Sequence, residues 1–364
     1  MKYRIGIVTM LTILAPAAVA EVTAEVGGRI HLDATLYDED VTELGSGSEF
    51  RRLRFYIAGD LAPDWTYKFQ VEVSGGDTDA QDAYARYSGF DFGTVTLGNL
   101  KVPFSLEELM SSRYITFIER ASINAFAPSR RIGAHVSAVR GDFTWAASVY
   151  GDEPSERDTD EGLGAAARVT YSPPVGANGR LHLGAAVLAE EPVSTDAASD
   201  TVRFRARPES HVTNVRLIDT GTIGDVSVTA KYGLEAAALF GSLSLQAEYI
   251  GTRTDAALAD VDFDGYYAYA SWLTGGHTRA YRDGVFKRTK AENAWEFGLR
   301  YSHMSLDDGP INGGEQDVIT LAANYYVNPY LRFMANYSMV DVSGGIAGDE
   351  DPSSLTFRVS FDFE

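Results

Sequence analysis

The chain has no cysteine. An exported protein built this way carries no disulfide scaffold and is no lipoprotein. Basic charge is scarce as well: 31 Lys and Arg stand against 51 Asp and Glu, a formal charge of −20. With no basic surplus to neutralise phosphates, the balance argues against nucleic acid as a partner. After residue 20 no apolar run is long enough for a membrane-spanning helix. The six histidines (His31, His135, His182, His211, His277, His303) lack metal-ligand spacing, and there is no G-x-S-x-G nucleophile elbow. Nothing in the sequence implies a cofactor.

What is present begins with Lys2 and Arg4, an apolar run from Ile5 to Leu14, the break at Pro16 and then Ala18-Val19-Ala20. This is the pattern of a secretory signal peptide over residues 1–20, against the alternative of a buried N-terminal helix. Setting Lys2 and Arg4 aside takes the formal charge from −20 to −22. Residues 21–364 read as a single domain without a linker. Their 20 Tyr, 18 Phe and 35 Gly suit aromatic strands joined by tight turns.

Strict alternation supports that reading. Trp65, Tyr67, Phe69, Val71 and Val73 oppose Lys68, Gln70, Glu72 and Ser74. The same period of two recurs in 225–236, in 242–249, in 295–301 and in the closing stretch, where Leu355, Phe357, Val359, Phe361 and Phe363 oppose Thr356, Arg358, Ser360 and Asp362. A soluble sandwich turns the greasy face inward, whereas a membrane barrel turns it to lipid. The connections favour the barrel. Short turns (62–64, 91–93, 140–142, 240–242, 328–329) alternate with longer polar segments (38–49, 104–130, 151–161, 191–224, 306–316, 343–353), and aromatics crowd the strand ends. The expected fold is therefore all-β: a transmembrane antiparallel barrel of about sixteen strands. In 94–103, Lys101 shares the parity of Val95 and Leu97, so a bulge at Gly98-Asn99 is expected to send it to the lumen.

The stretch G-N-L-K-V-P-F-S-L-E-E-L-M-S-S-R-Y-I-T-F-I-E-R (98–120) resembles the phosphate-selective porin O and P family. So do F-R-R (50–52), R-P-E-S with L-I-D-T-G (207–221), 241–249, 265–275, 294–302, 324–337 and the closing strand, in order. The resemblance implies an outer-membrane homotrimer of sixteen-stranded barrels, each with residues 104–130 folded inward as a constriction loop. By motif position it implies a constriction lined by Arg29, Arg51, Arg52, Asp82, Ser111, Ser112 and Arg120. Where phosphate-specific relatives carry a lysine after Leu-Glu, this chain has Glu108, a carboxylate expected to repel an oxyanion.

The loop is informative on its own terms. It places Arg113, Arg120, Arg130 and Arg131 against Glu107, Glu108 and Glu119, with Arg29, Arg51, Arg52 and Arg54 on nearby strands. Cations lining a narrow aqueous pore concentrate anions, and the guanidinium fork matches oxyanions. The other reading is structural pairing with neighbouring carboxylates. The expected function is a passive, water-filled pore for small solutes. It leans to anions (phosphate and related oxyanions among them, with phosphate specificity set against by Glu108), and Lys101 and Arg113 add to the attracting field. The acids of 38–40, 152–161 and 349–351 read as a solvated outer face, or as a surface for divalent cations. Two other classes stay open: an outer-membrane barrel enzyme, with His211 near Asp219 or Asp225, and a soluble periplasmic β-rich binding protein with its aromatics inside. Asp260–Gly265 starts like a calcium loop but has Ser271 at the twelfth position, and Gly162–Ala167 mimics a dinucleotide fingerprint inside an alternating strand.

Overall fold

The computed structural model describes residues 22–76, 78–154, 162–192 and 200–363. The expected signal peptide and the acids Glu156, Asp158, Asp160 and Glu161 lie outside the described residues.

Sixteen long strands among the described residues close into one barrel. The first eight are β1 (Glu25–Asp38), β2 (Gly47–Ala62), β3 (Trp65–Glu72), β4 (Asp79–Phe90), β5 (Gly93–Lys101), β6 (Arg130–Arg140), β7 (Phe143–Tyr150) and β8 (Gly164–Tyr171). The others are β9 (Gly179–Glu190), β10 (Val226–Phe240), β11 (Leu243–Ala256), β12 (Val261–Leu273), β13 (Ala294–Asp308), β14 (Ile311–Asn328), β15 (Leu331–Gly345) and β16 (Ser353–Phe363). Each pairs antiparallel with the next. β16 then pairs with β1, from Gly28 opposite Phe363 to Asp38 opposite Ser353, so the sheet has no free edge.

The closing strand decides which face meets water. Phe357 and Phe361 are 47% and 42% exposed on the outside, while Arg358 and Ser360 are 2% exposed inside. A greasy exterior over a polar interior is the reverse of a soluble sandwich and fits lipid outside. Aromatic pairs gather at one rim, Trp65 with Tyr87 and Trp295 with Tyr325 at centroid distances of 4.9 and 5.0 Å. Rings with one wet edge settle at the membrane interface.

The connections depart from expectation at three places. Residues 343–353 are mostly strand: β15 runs to Gly345, and Gly348–Glu350 pairs back on it across the turn at 346–347. The 306–316 segment is not a loop: β13 runs to Asp308 and β14 starts at Ile311, leaving Gly309-Pro310 as the turn. Its polar, glycine-rich sequence belongs to a hairpin that extends the barrel. Conversely, residues 274–293, at the end of the short turns, form a long inward fold. The hairpin Ala280–Arg282/Val285–Lys287 is held in the lumen by Arg168, whose Nη2 donates to the Gly284 carbonyl at 2.9 Å, and Val285 and Phe286 pack with Leu106, Met110 and Ile115.

Lys101 faces the lumen by a different route from the one expected. Neither ladder of β5 shifts register at Gly98-Asn99. Instead Gly98 takes φ 128, where a Cβ would stand 2.2 Å from the Ala83 carbonyl. The extra residue sits on β4, between Ala80 and Ala83. Asn99 Nδ2 donates to the Gln81 carbonyl at 2.5 Å, satisfying a backbone group that the bulge leaves off the ladder.

Candidate functional site

The long segment between β5 and β6 folds into the barrel. Its sequence explains why: Phe104, Leu106, Met110, Phe117, Ile118, Ile123 and Phe126 give a peptide of 28 residues (102–129) an apolar side of its own. That side packs on Ile250, Phe263, Tyr267, Met304 and Val318 of the inner wall and, through Phe126, on Phe204 of the β9–β10 connection. A short helix, α1 (Leu106–Leu109), starts at Ser105, whose Oγ accepts from the Glu108 amide. Glu248 of β11 accepts from the Leu106 and Glu107 amides at 2.7 and 2.8 Å, pinning the helix start to the wall.

Because the loop leans against β10–β15, the open space lies against β1–β6. It is a cavity of about 980 Å³. All nine residues singled out in the sequence line it: Arg29, Arg51, Arg52, Asp82, Lys101, Ser111, Ser112, Arg113 and Arg120. Among the described residues, fifteen Arg and Lys surround it against four carboxylates, Asp82, Glu108, Glu119 and Glu209. Seven of those cations escaped the sequence reading: Lys68, Arg86, Arg205, Arg207, Arg216, Arg282 and Lys287. The alternation of Arg203, Arg205 and Arg207 was a usable signal for the outer ones. The isolated Arg282 and Lys287 offered none.

The geometry sorts the cations by what they touch. On the lumen face Arg29 is opposite Arg54, and Arg52 opposite His31, in the β1–β2 ladder. Arg29 Nη1 donates to Ser112 Oγ at 2.7 Å and Ser111 Oγ at 3.2 Å. Each serine accepts there, and so keeps its own O–H to offer a solute. Arg51 makes a two-pronged pair with Glu119 at 2.8 and 3.0 Å. Arg54 pairs with Glu72 at 2.5 Å, and Arg52 lies 3.7 Å from that same carboxylate. Asp82 sits between Lys68 at 2.5 Å and Arg130 at 2.7 Å. Arg113 lies over the rings of Tyr56 and Tyr114, 5.9 and 5.6 Å from their centres. Lys101 and Arg120 work on the loop itself. Arg120 Nε donates to the Glu107 carbonyl at 2.9 Å, its Nη2 to that of Met110 at 3.0 Å, and Lys101 Nζ to Met110 at 3.1 Å.

Glu108 does not confront the solute path as an unmatched charge. Its carboxylate meets Lys101 at 3.1 Å and Arg120 at 3.4 Å. Burial opposes its ionisation, but the Arg120 and Lys101 charges overcome that and hold it down to about 2. The other sequence candidates are accounted for locally. His211 hydrogen-bonds Glu49 at 2.9 Å and Asp219 pairs with Arg203 at 2.5 Å, so no His211–Asp219 dyad forms. Asp260 and Asp262 pair with Arg253 at 2.6 and 3.6 Å, and Gly164–Ala167 are in β8 with no helix after them.

The profile of the family Phosphate-selective porin O and P matches residues 24–363. A protein of Caulobacter vibrioides is 30% identical over 89% of this chain and 70% of its own length. Porin O of Pseudomonas aeruginosa is 25% identical over 94% of this chain and 89% of its own. Among solved structures, an anion-selective porin from Comamonas acidovorans superposes with a TM-score of 0.62 at 15% identity, covering 94% of this chain and all of that one.

Proposed function

The chain belongs to the phosphate-selective porin O and P family and is an outer-membrane porin, and from that premise we propose that it passes small anions, oxyanions such as phosphate among them, without any chemical step. One observation carries the selectivity: the cavity beside the constriction loop holds fifteen cations to four carboxylates in a chain whose formal charge is −20. Low-dielectric walls focus that local surplus along the solute path, raising anion concentration and excluding cations. Arg52 and Arg113 contribute field, and Ser111 and Ser112, oriented by Arg29, contribute hydrogen-bond donors. The exposed acids of the outer connections, Asp38, Glu39, Asp40, Asp349 and Asp351, are solvated, and salt screens their field beyond about 10 Å. The homotrimer is proposed with it, resting on the family resemblance, and the aromatic rim fits outer-membrane lipid.

The test is the zero-current potential of the purified channel in a potassium chloride gradient, followed by phosphate titration against chloride. An anion-selective potential, with phosphate reducing the chloride current, supports the reading. A cation-selective potential overturns it, and a folded, membrane-inserted barrel that carries no current favours the enzyme alternative.

A further inference from the structure

One carboxylate in the cavity wall is bound the way a solute would be. Glu108 is 3% exposed. Its oxygens meet Lys101 Nζ at 3.1 Å, Arg120 Nη1 at 3.4 Å, Asn124 Nδ2 at 3.2 Å and Ser129 Oγ at 3.4 Å. Two cations and two neutral donors converging on two oxygens make a small-oxyanion receptor. The cations do not depend on that carboxylate for their positions. Lys101 is also held by the carbonyls of Glu108 and Met110, and Arg120 by those of Glu107, Glu108 and Met110. Cutting the side chain back to Cβ therefore removes one CH₂–COO⁻ unit, the size of acetate, and leaves its receptor standing. All five residues border the 980 Å³ cavity, so the vacated space opens onto the solute path.

We propose that Lys101, Arg120, Asn124 and Ser129 form an oxyanion subsite kept filled by the chain's own Glu108 carboxylate, which makes Glu108 a determinant of solute specificity. The tethered carboxylate is always present at its receptor, so a dissolved carboxylate or phosphate cannot compete for it. The unmodified channel then attracts anions through Arg52 and its neighbours but does not retain them at this point. Conduction gains from that, because an ion held too firmly leaves slowly. The proposal rests on the anion-channel reading above.

Two variants separate a vacated site from a mere change of charge. Glu108→Ala and Glu108→Gln remove the same charge, but only alanine leaves room. Both should shift the zero-current potential toward anions by the same amount. Only Glu108→Ala should acquire saturable block of the chloride current by acetate and by inorganic phosphate, with half-blocking concentrations about tenfold below those of the unmodified channel and of Glu108→Gln. Equal block in the two variants means a general field effect and overturns the proposal, as does no block in either. Should Glu108→Ala refold poorly, the folded fraction is compared in acetate and in chloride at equal ionic strength. A gain specific to acetate supports the subsite, and no gain overturns it. A cation-selective unmodified channel would defeat the premise instead, and the alanine–glutamine difference would still be readable.

Discussion

Along β1 to β6 the lumen arginines border the cavity and share too few carboxylates, whereas from β8 round to β16 Arg168, Arg279, Arg300 and Arg358 each have a carboxylate that no other arginine shares. Arg332, on that same side, is held by the Ile115 carbonyl and the Tyr326 hydroxyl. Glu72 serves both Arg52 and Arg54, and Asp82 serves both Lys68 and Arg130. On the other side Arg168 has Glu235 at 2.6 Å, Arg279 has Glu296 at 2.5 Å, Arg358 has Asp33 at 2.6 Å and Arg300 has Glu209. The difference follows from where the loops lie. The constriction loop, the β9–β10 connection and the 280–287 hairpin cover the second wall and exclude water, and a charge left unpaired there would carry a desolvation penalty of several kcal/mol. On the first wall the cavity keeps Arg51 and Arg52 within reach of water, although Arg29 and Arg54 are as buried as the matched set, and the field of the surplus charge reaches a passing ion. On the proposed reading, selectivity arises where the fold leaves room for this imbalance.

The sharpest way to break this contrast is on the buried side. Arg300→Ala strands Glu209 and removes a donor to the Glu119 carbonyl. It should destabilise the folded barrel by about 3–5 kcal/mol, measured by denaturant unfolding in detergent. A loss under about 1 kcal/mol would mean the buried pairs are not matched out of necessity. On the wet side, Arg52→Ala should leave stability within about 0.5 kcal/mol. The smallest effect should come from salt. Raising it from 0.1 to 1 M shortens the screening length from about 10 to about 3 Å, so the anion preference of the unmodified channel should shrink toward that of Arg52→Ala.

The barrel was legible because a strand between lipid and water must alternate, and Phe357, Val359 and Phe361 against Arg358 and Ser360 do so without exception. The 306–316 segment misled because Asp307, Asp308, Gly309, Gly313 and Gly314 have the composition of a loop, although the ladder continues past them. The hairpin at 280–287 was silent because strands of three residues are too short to show a period. Seven candidate residues were marked by motif position, Lys101 by strand parity and Arg113 by the loop's own charge, and all nine border one cavity. Which arginine is wet and which is dry was not legible. That depends on partners such as Glu209 for Arg300, brought together only when the β9–β10 connection folds inward. Glu108 shows the same gap: the sequence presents a repelling charge, and the fold surrounds that charge with its own donors.

The central claim is that unbalanced arginines on the wet wall, rather than arginine content as such, set the selectivity. It is tested most directly by the zero-current potential of Arg52→Ala beside the unmodified channel, in one potassium chloride gradient near 0.1 M. The account predicts that the ratio of chloride to potassium permeability falls about twofold or more, because one charge bordering the cavity is removed from a focused field. An unchanged ratio in a folded variant would contradict it.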